Sequence, residues 1–303
     1  MIILSLFDGM SGGQQAFERI GITFDGKENI YFAAEIKKHA IRVTKENYPN
    51  TIHIGDVTKV WYSKGVLHTE IGDFKVKIDA LIGGSPCQDF TLLKANNAKG
   101  TEGDKSQLFY EYLRIWRETK PKYYLLENVK MKNESKEQLD FYMNFEGIYI
   151  NSSLVSYQNR PRYYWSNIPG ITIPEDRNIN FQDYKETDIK ICGEYKLNHK
   201  PSYIKMWANG NGNNSFKGGC SNVTNAKKIK CLTRRHDRNP NAGLIEFEDF
   251  CRYLTVRECE QAQTVKIGYT NCLSKAQAYD VLGDGWTIEV IAHILKGIKE
   301  DKE

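Results

Sequence analysis

One cysteine lies in a segment whose neighbours favour chemistry over packing. Cys87 follows Ser85 and Pro86 and precedes Gln88, just after the apolar run 80–83. A free thiol with a pKa of about 8.5 is only partly thiolate at neutral pH, yet the thiolate is a strong nucleophile. Most free cysteines are buried and inert. The preceding proline and the following polar residues disfavour that alternative, so the sequence predicts a nucleophile at Cys87.

A carboxylate and two cations are the next candidates for the same chemistry. Glu127 ends the apolar run 123–126 and is a candidate proton donor. Arg160 and Arg162 stand on alternate residues, which in a strand share one face. Each feature alone is weak, because a solvated strand edge looks the same.

A glycine-containing segment, residues 7–13, joins the first predicted strand to the first predicted helix. Gly9 and Gly12 let a ligand approach the backbone, and the N–H groups of the helix start point towards it. Glu35 ends the second predicted strand, where it could accept hydrogen bonds from ribose hydroxyls. Asp56 follows the third and could accept from an adenine amine. Together these features predict an adenosyl ligand, and by themselves they leave NAD and S-adenosylmethionine open.

The elements that position these residues follow from hydrophobic periodicity. Short apolar runs alternate with amphipathic stretches, which is typical of βα units on a doubly wound parallel sheet. The predicted strands are 2–7, 30–35, 51–54, 80–83, 123–126, 152–157 and 163–165. The predicted helices run to about residue 20 and over 37–48, 107–119, 136–145, 256–264, 275–282 and 287–296. Residues 65–77 have a hairpin pattern without an assigned role.

The sequence changes character between residues 170 and 250. Turn-forming Asn and Gly residues are frequent there and aliphatic residues are scarce. We therefore predict one α/β domain, residues 1–169 and 251–303, interrupted by an irregular insertion, residues 170–250.

Composition limits the other classes of protein to which the chain could belong. The 303 residues carry 42 basic and 38 acidic side chains, a net charge of +4 that is too small to indicate a nucleic-acid partner by itself. Seven cysteines without a Cys-x-x-Cys spacing disfavour both a disulfide framework and structural zinc, so no metal is expected. The sequence shows no span long enough for a bilayer and no signal-peptide pattern, which predicts a cytoplasmic protein without a membrane partner.

Taken together, the motifs resemble those of DNA cytosine-5 methyltransferases. Six of them occur in the family's order: Phe7-Asp8-Gly9, Pro86-Cys87-Gln88, Glu127-Asn128-Val129, Gln158-x-Arg160-x-Arg162, Arg252-x-Leu254-Thr255-x-x-Glu258 and Gly283-Asp284-Gly285-Trp286. Asp8 stands where most members have alanine, a feature similar to the catalytic domains of animal de novo methyltransferases. Gln88 and the pair Asp284-Gly285 depart from that group. The length suggests a stand-alone bacterial or phage enzyme.

The resemblance implies a Rossmann-like sheet that uses S-adenosylmethionine to methylate cytosine in double-stranded DNA. The catalytic residues it implies are Cys87, Glu127, Arg160 and Arg162. The cofactor-binding residues it implies are Phe7, Asp8, Gly9, Met10, Ser11, Gly12, Glu35, Ile36, Asp56, Val57, Leu108, Asp284, Gly285 and Trp286. Substrate contacts are expected at Ser85, Pro86, Gln88, Arg234 and Arg235, with phosphate contacts at Lys227, Lys228 and Lys230.

Residues 170–250 would then be the target-recognition region, and residues 91–107 resemble the family's mobile loop. Three other classes of protein share some of these features. A tRNA cytosine-5 methyltransferase shares these motifs, but its Pro-Pro-Cys and Cys-Phe-Thr patterns are missing. A non-catalytic DNA-binding derivative is disfavoured by the intact Cys87, Glu127 and Arg162. An NAD-dependent oxidoreductase fails on the glycine spacing and gives Cys87 no role. The target sequence and oligomeric state cannot be read from the sequence.

Overall fold

The computed structural model describes residues 1–85, 107–197, 221–247 and 250–301 of the chain. Their contacts divide the chain into two units. The sheet unit comprises Met1–Ile150, Pro161–Ile173 and Ala292–Glu303, and the second unit comprises Asn151–Arg160 and Pro174–Ile291. The predicted recognition region, residues 170–250, lies mostly in the second unit together with residues 251–291, and its functional limits stay a prediction.

The sheet unit is built on a seven-stranded, mostly parallel sheet with the order β3-β2-β1-β7-β8-β10-β9. Its strands are β1 Ile2–Leu6, β2 Ile30–Ala34, β3 Ile52–Gly55, β7 Ala80–Gly84, β8 Tyr123–Val129, β9 Ile148–Asn151 and β10 Pro161–Ser166. β3, β2, β1, β7 and β8 run parallel to one another, whereas β10 runs antiparallel to β8. The predicted α/β fold class is therefore confirmed.

The central strands form because they are apolar on both faces. β1, β7 and β8 are buried along almost their whole length, which is the usual pattern of a parallel strand covered on both sides. Leu4, Leu6, Leu81 and Leu126 belong to one continuous core on one face of the sheet. Each such side chain contributes about 1.5–3 kcal/mol of burial free energy. This core holds the carboxyl ends of the strands in fixed register.

The seven predicted helices are all present near their predicted bounds, and the short helix Ile189–Gly193 was not predicted. The helices are α1 Gly12–Arg19, α2 Lys38–Asn47, α3 Gln107–Thr119, α4 Asn133–Met143, α5 Ile189–Gly193, α6 Val256–Ala262, α7 Lys275–Asp284 and α8 Ile288–Glu300. α2 ends just before Pro49, as expected from the restriction that proline places on its predecessor. The predicted strand 152–157 is wrong. β9 ends at Asn151, whose side chain accepts a hydrogen bond from Ser153 N and starts a 3₁₀ turn instead.

The insert at residues 65–77 is part of a small antiparallel sheet. Its strands are β4 Trp61–Ser63, β5 Val66–Thr69 and β6 Gly72–Lys75, in the order β4-β5-β6. The predicted hairpin is therefore confirmed, with β4 as an additional strand. Leu67 is fully buried against the main core and anchors the insert to the sheet unit.

Among its described residues, the second unit has little regular structure besides α5, α6, α7 and one two-stranded ribbon. Its two-stranded ribbon consists of β11 Ile245–Phe247 and β12 Phe250–Arg252. At the end of this ribbon the Arg252 guanidinium forms a bidentate ion pair with Glu258, at 2.8 and 2.9 Å, and both side chains are almost completely buried. Glu258 also completes a capping box with Thr255 at the start of α6. The pair therefore joins the ribbon to the helix.

Among the described residues, none of the helices is both long and apolar enough to cross a membrane. None of the five described cysteines, at positions 192, 231, 251, 259 and 272, forms a disulfide bond with another described cysteine. The described part of the chain also holds no cluster of three or more His, Cys, Asp or Glu side chains suited to a metal ion.

Candidate active site

The loop after β1 is held in an unusual backbone conformation. Phe7, Gly9 and Ser11 all have φ values between 57° and 59°, in the left-handed region. Two hydrogen bonds fix the loop to the end of β2: Asp8 N donates to Ala34 O at 3.1 Å, and Gly9 N donates to the Glu35 carboxylate at 2.8 Å. The structure therefore brings together the predicted cofactor loop and the predicted ribose carboxylate.

The Glu35 carboxylate is held by backbone N–H groups, whereas the side chain of the next residue, Ile36, is exposed. The second Glu35 oxygen accepts hydrogen bonds from Ile36 N and Lys37 N, both at 2.8 Å. These bonds fix the orientation of the carboxylate. Ile36 is 68% exposed, although it is a large apolar residue next to a buried strand. A carboxylate beside an exposed apolar side chain suits a ligand with a polar sugar and a flat base.

The remaining predicted cofactor residues of the sheet unit differ in whether their side chains are accessible or packed into the protein. Asp56 caps a 3₁₀ turn, where one oxygen accepts from Thr58 N and Thr58 Oγ1, each at 2.9 Å. Met10 and Val57 are buried, and Leu108 packs against the main core. Met10 and Val57 can therefore offer a ligand mainly their backbone groups, whereas the Asp56 carboxylate is partly accessible.

A second cluster lies at the carboxyl ends of β7 and β8. The Arg162 Nε atom donates to a Glu127 carboxylate oxygen at 2.7 Å, and each side chain is only 11–12% exposed. The antiparallel register places Arg162 opposite Val129 and Tyr164 opposite Glu127, so the pair is diagonal on one face of the sheet. Arg162 also donates to Pro161 O at 2.8 Å. The predicted acid and the predicted arginine are therefore in direct contact.

Asn128 extends this cluster to the start of the cysteine segment. Its buried amide donates to Ser85 Oγ at 3.1 Å and to Ser85 O at 3.4 Å. Ser85 is the last described residue before the cysteine. Pro86, Cys87, Gln88 and residues 91–106 lie outside the described residues, so their predicted roles stay predictions. The sequence predicts no role for Asn128, because no local pattern relates it to Ser85.

Arg160 has partners that a catalytic role does not require. Its guanidinium donates to three backbone carbonyl oxygens in the second unit, those of Leu232, Gly283 and Gly285, at 2.8–3.2 Å. The side chain is 3% exposed. These contacts favour a positioning role for Arg160, although its predicted catalytic role is not tested by them.

Gln158 acts in the same part of the second unit. Its side-chain amide is fully buried, accepts from Leu232 N at 2.8 Å and donates to Ala262 O at 3.1 Å. The Gln-x-Arg pattern therefore links the 229–232 segment to α6 and α7.

The segment Gly283-Asp284-Gly285-Trp286 ends α7 and continues past it. Asp284 is exposed and Trp286 is half-buried. Gly283 faces the backbone of a neighbouring segment so closely that an added Cβ would lie 2.3 Å from Thr233 C and 2.3 Å from Arg234 N. Glycine is therefore required here by close approach of two backbones.

We expect Gly283→Ala to destabilise the second unit by about 1–3 kcal/mol, the usual cost of overpacking. Alanine would otherwise favour a helix by up to about 1 kcal/mol. The contact should outweigh that gain, because backbone atoms cannot move aside like a flexible side chain. Thermal unfolding measures the effect. Gly193→Ala is the matched control, since its Cβ would contact nothing within 4 Å. Equal melting temperatures for the two variants would contradict the close approach.

The lysines and arginines of the second unit that are predicted to contact the substrate differ in their contacts and in their exposure. Arg234 is half-exposed and pairs with Asp280 at 2.7 Å and with Asp284 at 3.4 Å. Lys228 donates to Ser153 O and Ser156 O, and its burial lowers the pKa of its ammonium. Lys227, Lys230 and Arg235 are exposed. These three are the better placed to meet a polyanion.

The sheet order, the left-handed loop after β1 and the carboxylates at strand ends define a doubly wound, Rossmann-like α/β domain. Solved structures with the same fold cover almost the whole chain. An Entamoeba histolytica methyltransferase, EhMeth, has a TM-score of 0.74 at 16% identity, covering 100% of this chain and 99% of that chain. The S. pombe Dnmt2 methyltransferase has a TM-score of 0.69 at 15% identity, with the same coverage.

The family is defined by sequence. The family model described as C-5 cytosine-specific DNA methylase matches residues 1–162, which is more than half of the chain. The chain belongs to that family. It is 36% identical over 127 residues to the type II methyltransferase M.NlaIV of Neisseria lactamica, covering 42% of this chain and 27% of that protein. It is 30% identical over 211 residues to the orphan methyltransferase M.SPRI of Bacillus phage SPR, covering 64% and 43%. The match thus spans less than half the length of these curated relatives.

Proposed function

We propose that this protein transfers a methyl group from S-adenosylmethionine to carbon 5 of cytosine in duplex DNA. The observation that carries the proposal is the Glu127–Arg162 pair at the end of β8, next to the Asn128–Ser85 contact that holds the start of the Pro86-Cys87 segment. An acid, a cation and a nucleophile are the groups that covalent activation of a pyrimidine needs, and the sequence predicts the nucleophile at Cys87. Family membership supports cytosine as the base and DNA as the substrate.

The residues of the sheet unit fit S-adenosylmethionine. A Cβ at Gly9 would meet nothing within 4 Å, so the space above the loop is open. Glu35 is oriented to accept from a ribose, and the exposed Ile36 offers an apolar surface for adenine. Asp56 would accept from the adenine amine. When bound, S-adenosylmethionine supplies an electrophilic methyl group on a sulfonium.

The chain's own residues would prepare the base. Carbon 5 of cytosine is too electron-poor to accept a methyl group directly. The Cys87 thiolate attacks C6 and forms a sulfur–carbon bond, and the electron pair of the C5–C6 bond becomes available at C5. Glu127 would donate to N3 and stabilise the charge that develops there, while Arg162 would hold the base oxygen O2. After C5 is methylated, its proton leaves and the Cys87–C6 bond breaks, which restores the aromatic ring and the thiolate.

Duplex DNA adds one requirement, because C6 cannot be reached while the base is stacked. The target base must be flipped out, at a cost of a few kcal/mol. The exposed cations Lys227, Lys230 and Arg235 would meet the phosphates that position the strand. The second unit would supply sequence recognition.

The proposal is tested with DNA that contains 5-fluorocytosine. Fluorine at C5 cannot leave as a proton does, so the wild-type protein with S-adenosylmethionine should form a stable covalent adduct, and Cys87→Ala should form none. Cys259→Ala, at a buried free cysteine, is the matched control. An adduct that persists without Cys87 would refute the mechanism. Labelled methyl transfer is then compared on duplex DNA and on tRNA, and preferential labelling of tRNA would replace DNA as the substrate.

The biological role is a separate proposal. The relatives named above are type II and orphan methyltransferases, so we propose that this protein modifies DNA either beside a restriction enzyme or without one. Bisulfite sequencing of DNA methylated by the protein gives the target sequence. Protection of that DNA against a restriction enzyme from the same genome would support the first role.

A further inference from the structure

Asp8 is a partly buried carboxylate within the cofactor loop, residues 7–13. Its Oδ1 atom accepts a hydrogen bond from the Tyr31 hydroxyl at 2.8 Å, whereas its Oδ2 atom is buried without a hydrogen-bond partner. Burying a carboxylate costs free energy unless its oxygens are satisfied. Desolvation raises the pKa of Asp8 to about 6, although nearby serine and tyrosine hydroxyls oppose the shift.

The same residue lies at the centre of the loop's backbone geometry. Asp8 stands between Phe7 and Gly9, both with left-handed φ values, and Asp8 O accepts from Ser11 N at 3.1 Å. The side chain and the backbone of Asp8 therefore hold the same turn. A side chain that only filled space at this position of the loop would not need an ionisable group.

We propose that the Asp8 carboxylate, held by the Tyr31 hydroxyl, positions the cofactor loop and makes binding of the adenosyl cofactor depend on pH. The inference rests on the proposed function, since it assumes that S-adenosylmethionine binds this loop. S-adenosylmethionine carries a sulfonium, an ammonium and a carboxylate group and is cationic overall, and a cationic ligand near a carboxylate favours the ionised form. Binding should therefore draw a proton off Asp8, and protonation of Asp8 should weaken binding.

The groups that face Asp8 do not offer another explanation in this pH range. β1 contributes the neutral Ser5, the start of α1 contributes the neutral Ser11, and β2 contributes Tyr31 and Glu35. Burial and the Asp8 charge hold the pKa of Tyr31 well above its ordinary value, so Tyr31 stays neutral. Glu35 is already fixed by three backbone N–H groups and raises the Asp8 pKa through its charge.

Isothermal titration calorimetry with S-adenosylmethionine between pH 5 and pH 7, in buffers of different ionisation enthalpy, tests the proposal. Wild type should bind about tenfold more weakly at pH 5 than at pH 7 if binding returns Asp8 towards an ordinary carboxyl pKa. It should release about half a proton at pH 6. Asp8→Asn should bind with a flat pH profile and release no proton.

Two further variants keep the test decisive. Tyr31→Phe removes the donor to Oδ1 and should move the midpoint of the pH profile upwards. Glu28→Gln, at an exposed side chain, should behave like wild type. The melting temperature of the Asp8→Asn apoprotein at pH 7 should be at or above that of wild type, because a buried charge has been removed. Equal pH profiles for wild type and Asp8→Asn would overturn this inference alone. Failure of S-adenosylmethionine to bind either protein would overturn the proposed function.

Discussion

Replacement of Glu127 by glutamine is expected to lower the rate of methyl transfer by about 10²–10⁴-fold, the usual contribution of a positioned acid. Glutamine keeps the size of the side chain and can still accept from the Arg162 guanidinium, which lies 2.7 Å from Glu127. It cannot donate a proton to N3 of cytosine. Single-turnover methylation of duplex DNA measures the chemical step, and the melting temperature verifies folding.

The matched control is Glu137→Gln, at an exposed position on α4, which should leave the rate unchanged. Arg162→Gln separates two roles of the pair. If Arg162 only orients Glu127, Arg162→Gln and Glu127→Gln should lower the rate of methyl transfer by a similar factor. If Arg162 also holds the base, its loss should raise the KM for DNA as well. Wild-type rates for Glu127→Gln would show that Glu127 is a structural partner of Arg162.

The largest loss of stability is expected from Glu258→Ala. Removing one partner of a buried ion pair leaves the other charge unpaired, at a cost of about 3–5 kcal/mol. Here the cost should be near the top of that range, because Glu258 also accepts from Thr255 N and from Glu186 N. The Arg252 guanidinium would be left fully buried. Urea and thermal unfolding of the whole chain measure the change.

An exposed pair provides the comparison. Lys275 and Glu194 lie 2.9 Å apart with 47% and 65% of their side chains exposed, and such pairs contribute about 0–1 kcal/mol. Glu194→Ala should therefore change the midpoints of urea and thermal unfolding little. The double variant Arg252→Met with Glu258→Met should recover part of the loss, since neither charge remains buried alone. A small effect of Glu258→Ala would mean that water reaches Arg252.

The sequence predicted this fold where the information is local. Glu35 and Glu127 end apolar runs, and runs of that kind form the buried strands of a parallel sheet, so the strand ends and their carboxylates were predictable. The strand predicted at 152–157 failed because Asn151 favours a turn through its side chain, which hydrophobic periodicity does not record. The site was predicted by motif, and only for residues that the motifs contain.

Contacts between distant residues were not predictable in the same way. Tyr31 donates to Asp8 across 23 positions, and Asn128 reaches Ser85 across 43. Arg160 and Arg162 look equivalent in the sequence, but Arg160 binds carbonyl oxygens and Arg162 binds a carboxylate. No spacing rule distinguishes them, because the difference depends on which segments the fold brings beside each guanidinium.

The antiparallel pairing of β10 with β8 limits where the chain can gain or lose a single residue. Arg162 meets Glu127 only because of the register that sets Arg162 opposite Val129. A single-residue deletion inside Pro161–Ser166 would turn every following side chain to the opposite face. Natural variants of this chain should therefore tolerate length changes in its surface connections and almost never within β10, even where the deleted residue itself touches nothing in the site.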